Sequence, residues 1–260
     1  MGNPTRFKNG VTNNSGAGVV TSNMPIPDYT NINVYQDDFN HYTAGDWTVV
    51  AGGAGSGTAI GANGGMVLTW ATSGIQSNKL QAASWYFNPA TSAKAGQQVW
   101  FEAGVIPSDG SGPRFEMGLT NGVPNASTDG VWFTKAAAGR VWQLNIRTAS
   151  GTPSVFNLPT IANTVDTALA SLGYYYDGKP TPTLYVYFGG TVGGVVGNYM
   201  IGAVTPSGAT GGVTFVSGTN DLTALPATTM GLAPSYSIAT AAGTFNVDYM
   251  TAACEIYNRV

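Results

Sequence analysis

The 260-residue chain has little charge, one cysteine and one histidine. Charged residues make up 9% of it, against about 25% in typical soluble domains. Ten basic and 13 acidic side chains give a net charge of −3, so no basic stripe is available for a polyanion. We therefore expect no nucleic-acid partner. A surface so poor in charge suits a protein that packs against other proteins.

The scarcity of cysteine and histidine excludes two further classes of protein. Cys254 cannot form an intramolecular disulfide alone, and with His41 it cannot supply a four-ligand zinc site. No run of about 18 apolar residues predicts a membrane span, and residues 1–10 lack the apolar stretch of a secretory signal. We expect a soluble protein, made in a reducing compartment, with no cofactor, metal or membrane partner.

The first 33 residues differ from the rest of the chain, because they show no periodic apolar pattern. Their only charges before Asp28 are Arg6 and Lys8, so residues 1–27 carry +2 and the remainder −5. Fully extended, 27 residues reach about 90 Å. We predict an extended docking arm over residues 1–33, with a frayed terminus as the alternative. Its predicted contact residues are Arg6, Phe7, Lys8, Val11, Met24 and Ile26.

From residue 34 to 260 the sequence predicts a second region built from short strands. Segments rich in Val, Thr and aromatic residues alternate with turn clusters. The predicted strands are 66–70, 99–106, 114–119, 130–135, 141–147, 183–188, 213–216, 236–238 and 244–256. Their spacing predicts an all-β, antiparallel sandwich. A single short helix is expected over 164–172, begun by Asn163 and ended by Gly173.

Two glutamates raise the question of catalysis. If residues 107–113 form a tight hairpin turn, Glu102 faces Glu116, and two carboxylates about 5 Å apart would match a retaining glycosidase. The chain has only three Glu residues, however. Basic side chains on neighbouring strands, at Arg114, Lys135 and Arg147, could neutralise this pair. We therefore expect a charge-compensated sheet face and no catalytic residue, with a ligand or ion contact as the alternative.

Other polar candidates are weaker. His41 is expected in an ordinary turn, since no Gly-x-Ser-x-Gly elbow accompanies it. The Gly-rich stretch 52–57 precedes no helix, so it is not a phosphate loop. Asp37, Asp38 and Asp46 do not match the spacing of a calcium loop.

Aromatic residues offer a possible binding surface. Trp47, Trp85 and Tyr175 are candidates for a surface ligand or an oligomer contact, although tryptophans in a sandwich more often belong to the core. In the run Tyr174–Tyr176, alternation along a strand would turn at least one ring outward. This is mild support for an interface.

Two parts of the sequence resemble known proteins. The body, from Asp37-Asp38-Phe39 to Phe245-Asn246-Val247-Asp248-Tyr249-Met250, resembles the concanavalin/laminin-G-like jelly-roll superfamily. The stretch Asn3-Pro4-Thr5-Arg6-Phe7-Lys8-Asn9-Gly10-Val11-Thr12-Asn13 is similar to the openings of virion structural proteins of tailed phages, with Lys8 where Pro is more usual. Together they resemble a capsid decoration, or cement, protein.

That resemblance implies a jelly-roll virion protein on the outer surface of the capsid, synthesised in the host cytoplasm. It implies binding to the major capsid protein and to itself, as a homo-oligomer expected to be a trimer, without catalytic residues. Laminin-G relatives often bind calcium, but no matching ligands can be placed here. The main alternative is a carbohydrate-binding module or tail-fibre adhesin on the same fold, and a glycoside hydrolase is the third.

Overall fold

The described part of the chain consists of β-strands joined by turns and loops. This computed structural model describes residues 24–25, 32–39, 47–50, 57–60, 66–70, 75–80, 87, 96–107, 114–122, 127–135, 141–159, 170–192, 195–226, 232–239 and 243–255. The strands are β1 Ile32–Asp37, β2 Trp47–Val50, β3 Gly57–Ile60, β4 Met66–Trp70, β5 Ile75–Leu80, β6 Val99–Pro107, β7 Arg114–Thr120, β8 Gly130–Lys135, β9 Trp142–Arg147, β10 Ser154–Asn157, β11 Ala170–Tyr176, β12 Leu184–Val192, β13 Val195–Thr205, β14 Gly208–Gly211, β15 Thr214–Ser217, β16 Ala233–Ala239 and β17 Gly243–Glu255. Within these residues, no helix has the length and apolar character needed to cross a bilayer.

The strands form two antiparallel sheets. Sheet A has the order β14-β13-β12-β11-β6-β17-β4-β3, and β1 pairs with the second half of β17. Sheet B has the order β15-β10-β9-β8-β7-β16-β5-β2. The predicted all-β antiparallel sandwich is therefore confirmed.

The main core lies between the two sheets, where alternate side chains of strands such as β6, β7, β9 and β11 point inward. Tyr174 of sheet A is fully buried and stacks on Phe101, with ring centroids 5.4 Å apart. Its hydroxyl donates to the carbonyl of Val131 in sheet B, at 3.2 Å. Burial raises the pKa of Tyr174 well above its usual value. The neutral phenol thus ties one sheet to the other across an apolar interior.

The predicted helix is wrong where the structure describes its residues. Ala170, Ser171 and Leu172 belong to β11, and the rest of residues 163–169 lies outside the described part. Leu172, Tyr174 and Tyr176 all face the core, which continues a period of two through the segment. Burial of alternate side chains in the sandwich outweighs the helix propensity of the Ala and Leu residues.

The predicted pairing of Glu102 with Glu116 is also wrong. β6 pairs with β11 and β17 in sheet A, whereas β7 pairs with β8 and β16 in sheet B. The apolar residues of β6 and β7 face each other across the core instead of sharing a face. A turn-rich connection is equally compatible with a hairpin and with an arch between sheets, so composition alone did not distinguish them.

Candidate functional site

The outer face of sheet A carries a second apolar cluster, formed by side chains that alternate with the core residues. Trp100 of β6, Tyr175 of β11 and Tyr185 and Tyr187 of β12 define what we name the aromatic face. Tyr175 stacks between Trp100 and Tyr185, with centroid distances of 5.2 and 5.9 Å. Neighbouring positions on adjacent strands bring these rings together, because residues directly opposite in a sheet lie about 5 Å apart.

Tyr175 points outward as the alternation predicts, but it is not freely exposed. Its side chain is 6% exposed, and its hydroxyl donates to Oε1 of Gln98 at 3.0 Å. Desolvation by burial raises the pKa of Tyr175, and the nearby carboxylates of Asp177 and Glu255 raise it further. In the single chain, neighbouring side chains therefore already cover this ring.

The N-terminal segment meets the body at the aromatic face. Met24 packs against the cluster, and so does Ile32, the first residue of β1. Val34, two residues on, is 40% exposed. The remaining predicted arm contacts, which are Arg6, Phe7, Lys8, Val11 and Ile26, lie outside the described residues. Of the predicted docking residues that the structure describes, Met24 therefore contacts the chain's own sheet.

Two glutamates on sheet A, Glu102 and Glu255, are held in place by specific hydrogen bonds. The Tyr249 ring lies across Gly104, where a side chain would collide with it, and its hydroxyl donates to Oε1 of Glu102 at 2.7 Å. Oε2 of Glu255 accepts the backbone N–H of Gln98 at 3.1 Å. Burial nevertheless raises the pKa of Glu255 above its usual value. Desolvation beside the aromatic face thus outweighs the hydrogen bond that favours the carboxylate.

The outer face of sheet B is polar around Glu116, although Trp132 of β8 is buried on the same side, and we name it the polar face. Glu116 of β7 is 2% exposed and accepts from Ser237 at 3.0 Å and from Thr134 at 3.5 Å. Arg114 lies 3.2 Å from the same carboxylate. Asn145 donates to the Thr134 hydroxyl at 3.0 Å, which carries the network into β9. These are small polar groups that satisfy one another across four strands.

The paired-carboxylate geometry of a retaining glycosidase is therefore not formed by Glu102 and Glu116, since they lie in different sheets. Arg114 lies 3.2 Å from the Glu116 carboxylate, as expected. Lys135 is buried over the ring of Phe115 at 5.7 Å. The Arg147 guanidinium donates instead to the carbonyls of Ser127, Ser150 and Gly151.

The other sequence candidates lie apart from both faces or outside the described residues. Trp47 begins β2 at the edge of sheet B, opposite Leu80, whereas Trp85, His41 and Asp46 are outside the described part. Asp37 accepts from the Tyr35 hydroxyl at 3.0 Å and from a backbone N–H at 2.8 Å, as a turn residue does. Within the described ranges, no three His, Cys, Asp or Glu side chains come together as a metal site.

Sequence reasoning missed most of the aromatic face. Trp100, Tyr185 and Tyr187 were not singled out, although each alternates with inward residues of a predicted strand. A usable signal was present in Leu184-Tyr185-Val186-Tyr187-Phe188, where two tyrosines fall on the side opposite Leu184 and Val186. Two aromatic residues on the second face of a buried strand predict that this face is covered as well.

Comparison with known proteins identifies the architecture and no more. No family model matches the sequence, and no curated protein is significantly similar to it. Arcelin-5, a lectin-like defence protein from Phaseolus vulgaris, superposes with a TM-score of 0.50 and 11% identity, covering 87% of this chain and all of that one. The fold is a lectin-like jelly-roll β-sandwich.

Two further structures align over similar lengths. A β-glucanase from Bacillus licheniformis aligns with a TM-score of 0.48 and 13% identity, over 84% of this chain and 97% of the other. The CBM2 module of the evolved Dit of Lactobacillus casei BL23 phage J-1 gives 0.47 and 11%, over 88% and 98%. Likenesses of this size carry no argument about the function of the chain, because fold alone does not fix function.

Proposed function

We propose that this protein is a non-enzymatic phage structural protein, which decorates the capsid and stabilises it by bridging subunits of the major capsid protein. In this proposal it is a homo-oligomer, a trimer, on the outer surface of the virion. The N-terminal segment supplies the docking contact. The resemblance of residues 3–13 to the openings of virion structural proteins supports this assignment.

The observation that carries the proposal is the contact of Met24 with the aromatic face. Met24 and Ile32 both pack on Trp100 and its neighbours, so the N-terminal segment is tied to the body at its C-terminal end. Residues 1–23 precede this anchor and carry Arg6 and Lys8 with no acidic side chain. A cationic segment fixed at one end to an acidic body is suited to reach a second protein. We therefore narrow the proposed docking element to residues 1–23.

Physical chemistry explains how such a protein could brace a shell. Each copy gains modest affinity from one segment, because ordering a segment on binding opposes the favourable contacts. Linked copies multiply that affinity through effective concentration, provided that all sites can be engaged together. In this proposal Phe7 and Val11 bury apolar surface on the capsid, and Arg6 and Lys8 pair with its carboxylates.

The test is to refill capsids that have been stripped of the protein. The variant lacking residues 1–23 retains Met24 and β1, so its sandwich should fold, but it should no longer bind the particles. Occupancy is measured by cryo-EM of the refilled particles, and folding by circular dichroism. Full occupancy by the shortened protein would refute the docking role.

A charge variant separates binding from folding more finely. Arg6→Gln with Lys8→Gln changes no residue that the described structure packs, and it should lower capsid affinity at least tenfold at low salt. The matched control is Thr214→Glu with Val216→Glu, which lowers the net charge by the same amount at two exposed positions of β15. Equal losses from both variants would show a general effect of net charge instead of a specific contact.

The second candidate is a carbohydrate-binding module or tail-fibre adhesin. The lectin-like fold that the chain shares with arcelin-5 favours it, whereas the polar side chains around Glu116 are buried and already satisfy one another. A glycan array with the full-length protein tests it. Specific binding that is lost in Trp47→Ala or Trp85→Ala would favour the adhesin, and an empty array would count against it.

A further inference from the structure

A pocket of about 300 Å³ opens at the end of sheet A where β11 passes into β12. Phe87, Tyr176, Pro182, Leu222 and Leu225 form most of its apolar lining. A dry cavity of about 150 Å³ lined by similar side chains holds one benzene molecule. The pocket therefore has room for one aromatic side chain and the start of its backbone. Its lining offers few of the polar groups that a sugar would require.

A second, more polar cavity of about 500 Å³ adjoins the first and shares Thr223 with it. Thr148, Thr152 and Thr219 contribute to its lining, together with Gly218. Threonine hydroxyls both donate and accept, so they suit the N–H and C=O groups of an extended peptide. An apolar pocket beside a hydroxyl-lined groove fits a peptide with a single apolar anchor among small polar residues.

The N-terminal segment enters the sandwich close to this pocket. Tyr176 in the pocket wall is opposite Val99, which is opposite Cys254, which is opposite Asn33 at the start of β1. Three strand spacings of about 4.8 Å put the start of β1 about 15 Å from Tyr176. Phe7 lies 17 residues before Met24, a length that extends to about 55 Å. Its ring can therefore reach the pocket of its own chain.

The sequence of the segment matches the chemistry of the two cavities. Phe7 is the only aromatic residue among residues 1–23, and Thr5, Asn9 and Gly10 lie close to it. In the sequence, Arg6 precedes Phe7 and Lys8 follows it. The segment thus combines one large apolar anchor with small polar residues and positive charge.

Charged groups around the cavities are compatible with this segment. Asp221, which adjoins Leu222 and is partly exposed, supplies a carboxylate beside the apolar pocket. Asp177 is paired with Lys179 at 3.3 Å and adds little net charge. Arg147 reaches the far side of the polar groove, where its Nε donates to the Gly151 carbonyl. Oδ1 of Asp221 accepts from the backbone N–H and the hydroxyl of Thr223, and the negative charge of this carboxylate suits a segment that carries Arg6 and Lys8.

We propose that the apolar pocket binds Phe7 of the chain's own N-terminal segment. An intramolecular ligand on a short tether has an effective concentration in the millimolar range, far above that of a second copy in dilute solution. Where the proposed capsid function holds, docking in the pocket lowers the fraction of segments free to bind the shell. Pocket binding itself concerns the free protein, so its test needs no capsid and can fail independently of that function.

The experiment measures disulfide formation in full-length protein. Asn9→Cys with Thr223→Cys places a thiol beside Phe7 and another at the exposed rim of the pocket. Equilibration with a glutathione buffer gives the effective concentration of the two thiols, read by mass spectrometry. Adding Phe7→Ala to the same pair should lower that concentration at least tenfold. Asn9→Cys with Val216→Cys, at a residue that is 47% exposed on β15, is the matched control. The buried native thiol of Cys254 is common to all variants.

Three outcomes decide the matter. A high effective concentration for the pocket pair, lost with Phe7→Ala and lacking in the control pair, supports the proposal. Equal values with and without Phe7→Ala overturn it. Covalent dimers formed on mixing the two single-cysteine variants, without a closed ring in the double variant, would assign the pocket to a second copy and overturn the own-chain assignment.

Discussion

The two outer faces of the sandwich cover their sheets in different ways. On the aromatic face, Trp100 is 3% exposed and is held by ring stacking and apolar contact. On the polar face, Glu116 is 2% exposed and is held by hydroxyls and a guanidinium. Apolar contact is non-directional, whereas each buried polar atom needs a partner in a defined position. The aromatic face can therefore accept a packed segment such as Met24, while the polar face depends on a fixed network.

The largest expected effect follows from breaking the aromatic face at its centre. Trp100→Ala removes the ring that stacks on Tyr175 and should lower the free energy of unfolding by about 4 kcal/mol, the usual cost of a buried Trp to Ala change. Trp100→Phe keeps an aromatic ring and should cost less than half as much. Equilibrium urea unfolding of both variants measures the difference. A loss below 1 kcal/mol for Trp100→Ala would mean that this cluster is not a packed surface.

An intermediate effect is expected on the polar face. Glu116→Ala leaves Ser237, Thr134 and Arg114 without their common acceptor and should cost about 3 kcal/mol. Glu116→Gln retains one oxygen as an acceptor and should cost about half of that. A full loss for Ala with no loss for Gln, measured by the same urea titration, would contradict the hydrogen-bond network and point to side-chain volume alone.

These two variants also bear on catalysis. If the protein hydrolysed a glycoside through Glu116, Glu116→Gln would abolish turnover while most of the stability remained. With Glu102 in the other sheet, the geometry offers no second carboxylate from the predicted pair. The polar face is consistent with a structural network, and the stability measurements test that interpretation directly.

The sequence predicted individual strands better than their arrangement in the two sheets. β4 and β8 match their predicted bounds, because alternating Val, Phe, Trp and Thr residues form a strong local pattern. The placement of β6 and β7 in different sheets could not be predicted, since loop composition does not determine which sheet the next strand joins. The same holds for the aromatic face, which requires β11 between β6 and β12, a long-range arrangement.

The candidate site was predicted only in part for the same reason. The outward direction of the Tyr175 side chain follows from the alternation along its strand, so the sequence was sufficient to predict it. Its stacking on Trp100 depends on a partner 75 residues earlier in the chain, and nothing in either local pattern indicates that contact. Met24 was predicted as a docking residue from its isolation among polar residues. Its contact with the chain's own sheet depends on the position of β1 beside β17.

The smallest predicted effect concerns pH and the edge of the aromatic face. Burial raises the pKa of Glu255 above the ordinary value of 4.5, so the folded protein holds this proton more tightly than the unfolded chain. Stability at this site is therefore greatest below pH 4.5 and is lost as the pH rises through the raised value. Glu255→Gln keeps an oxygen for the Gln98 N–H and removes the charge. Because this side chain is only half-buried, solvent screening limits the gain to about 0.5 kcal/mol at pH 7, and the gain should vanish by pH 4. Urea unfolding of both proteins at the two pH values measures the gain in the free energy of unfolding. An equal gain at both pH values would show that the Glu255 carboxylate is not desolvated beside the aromatic rings.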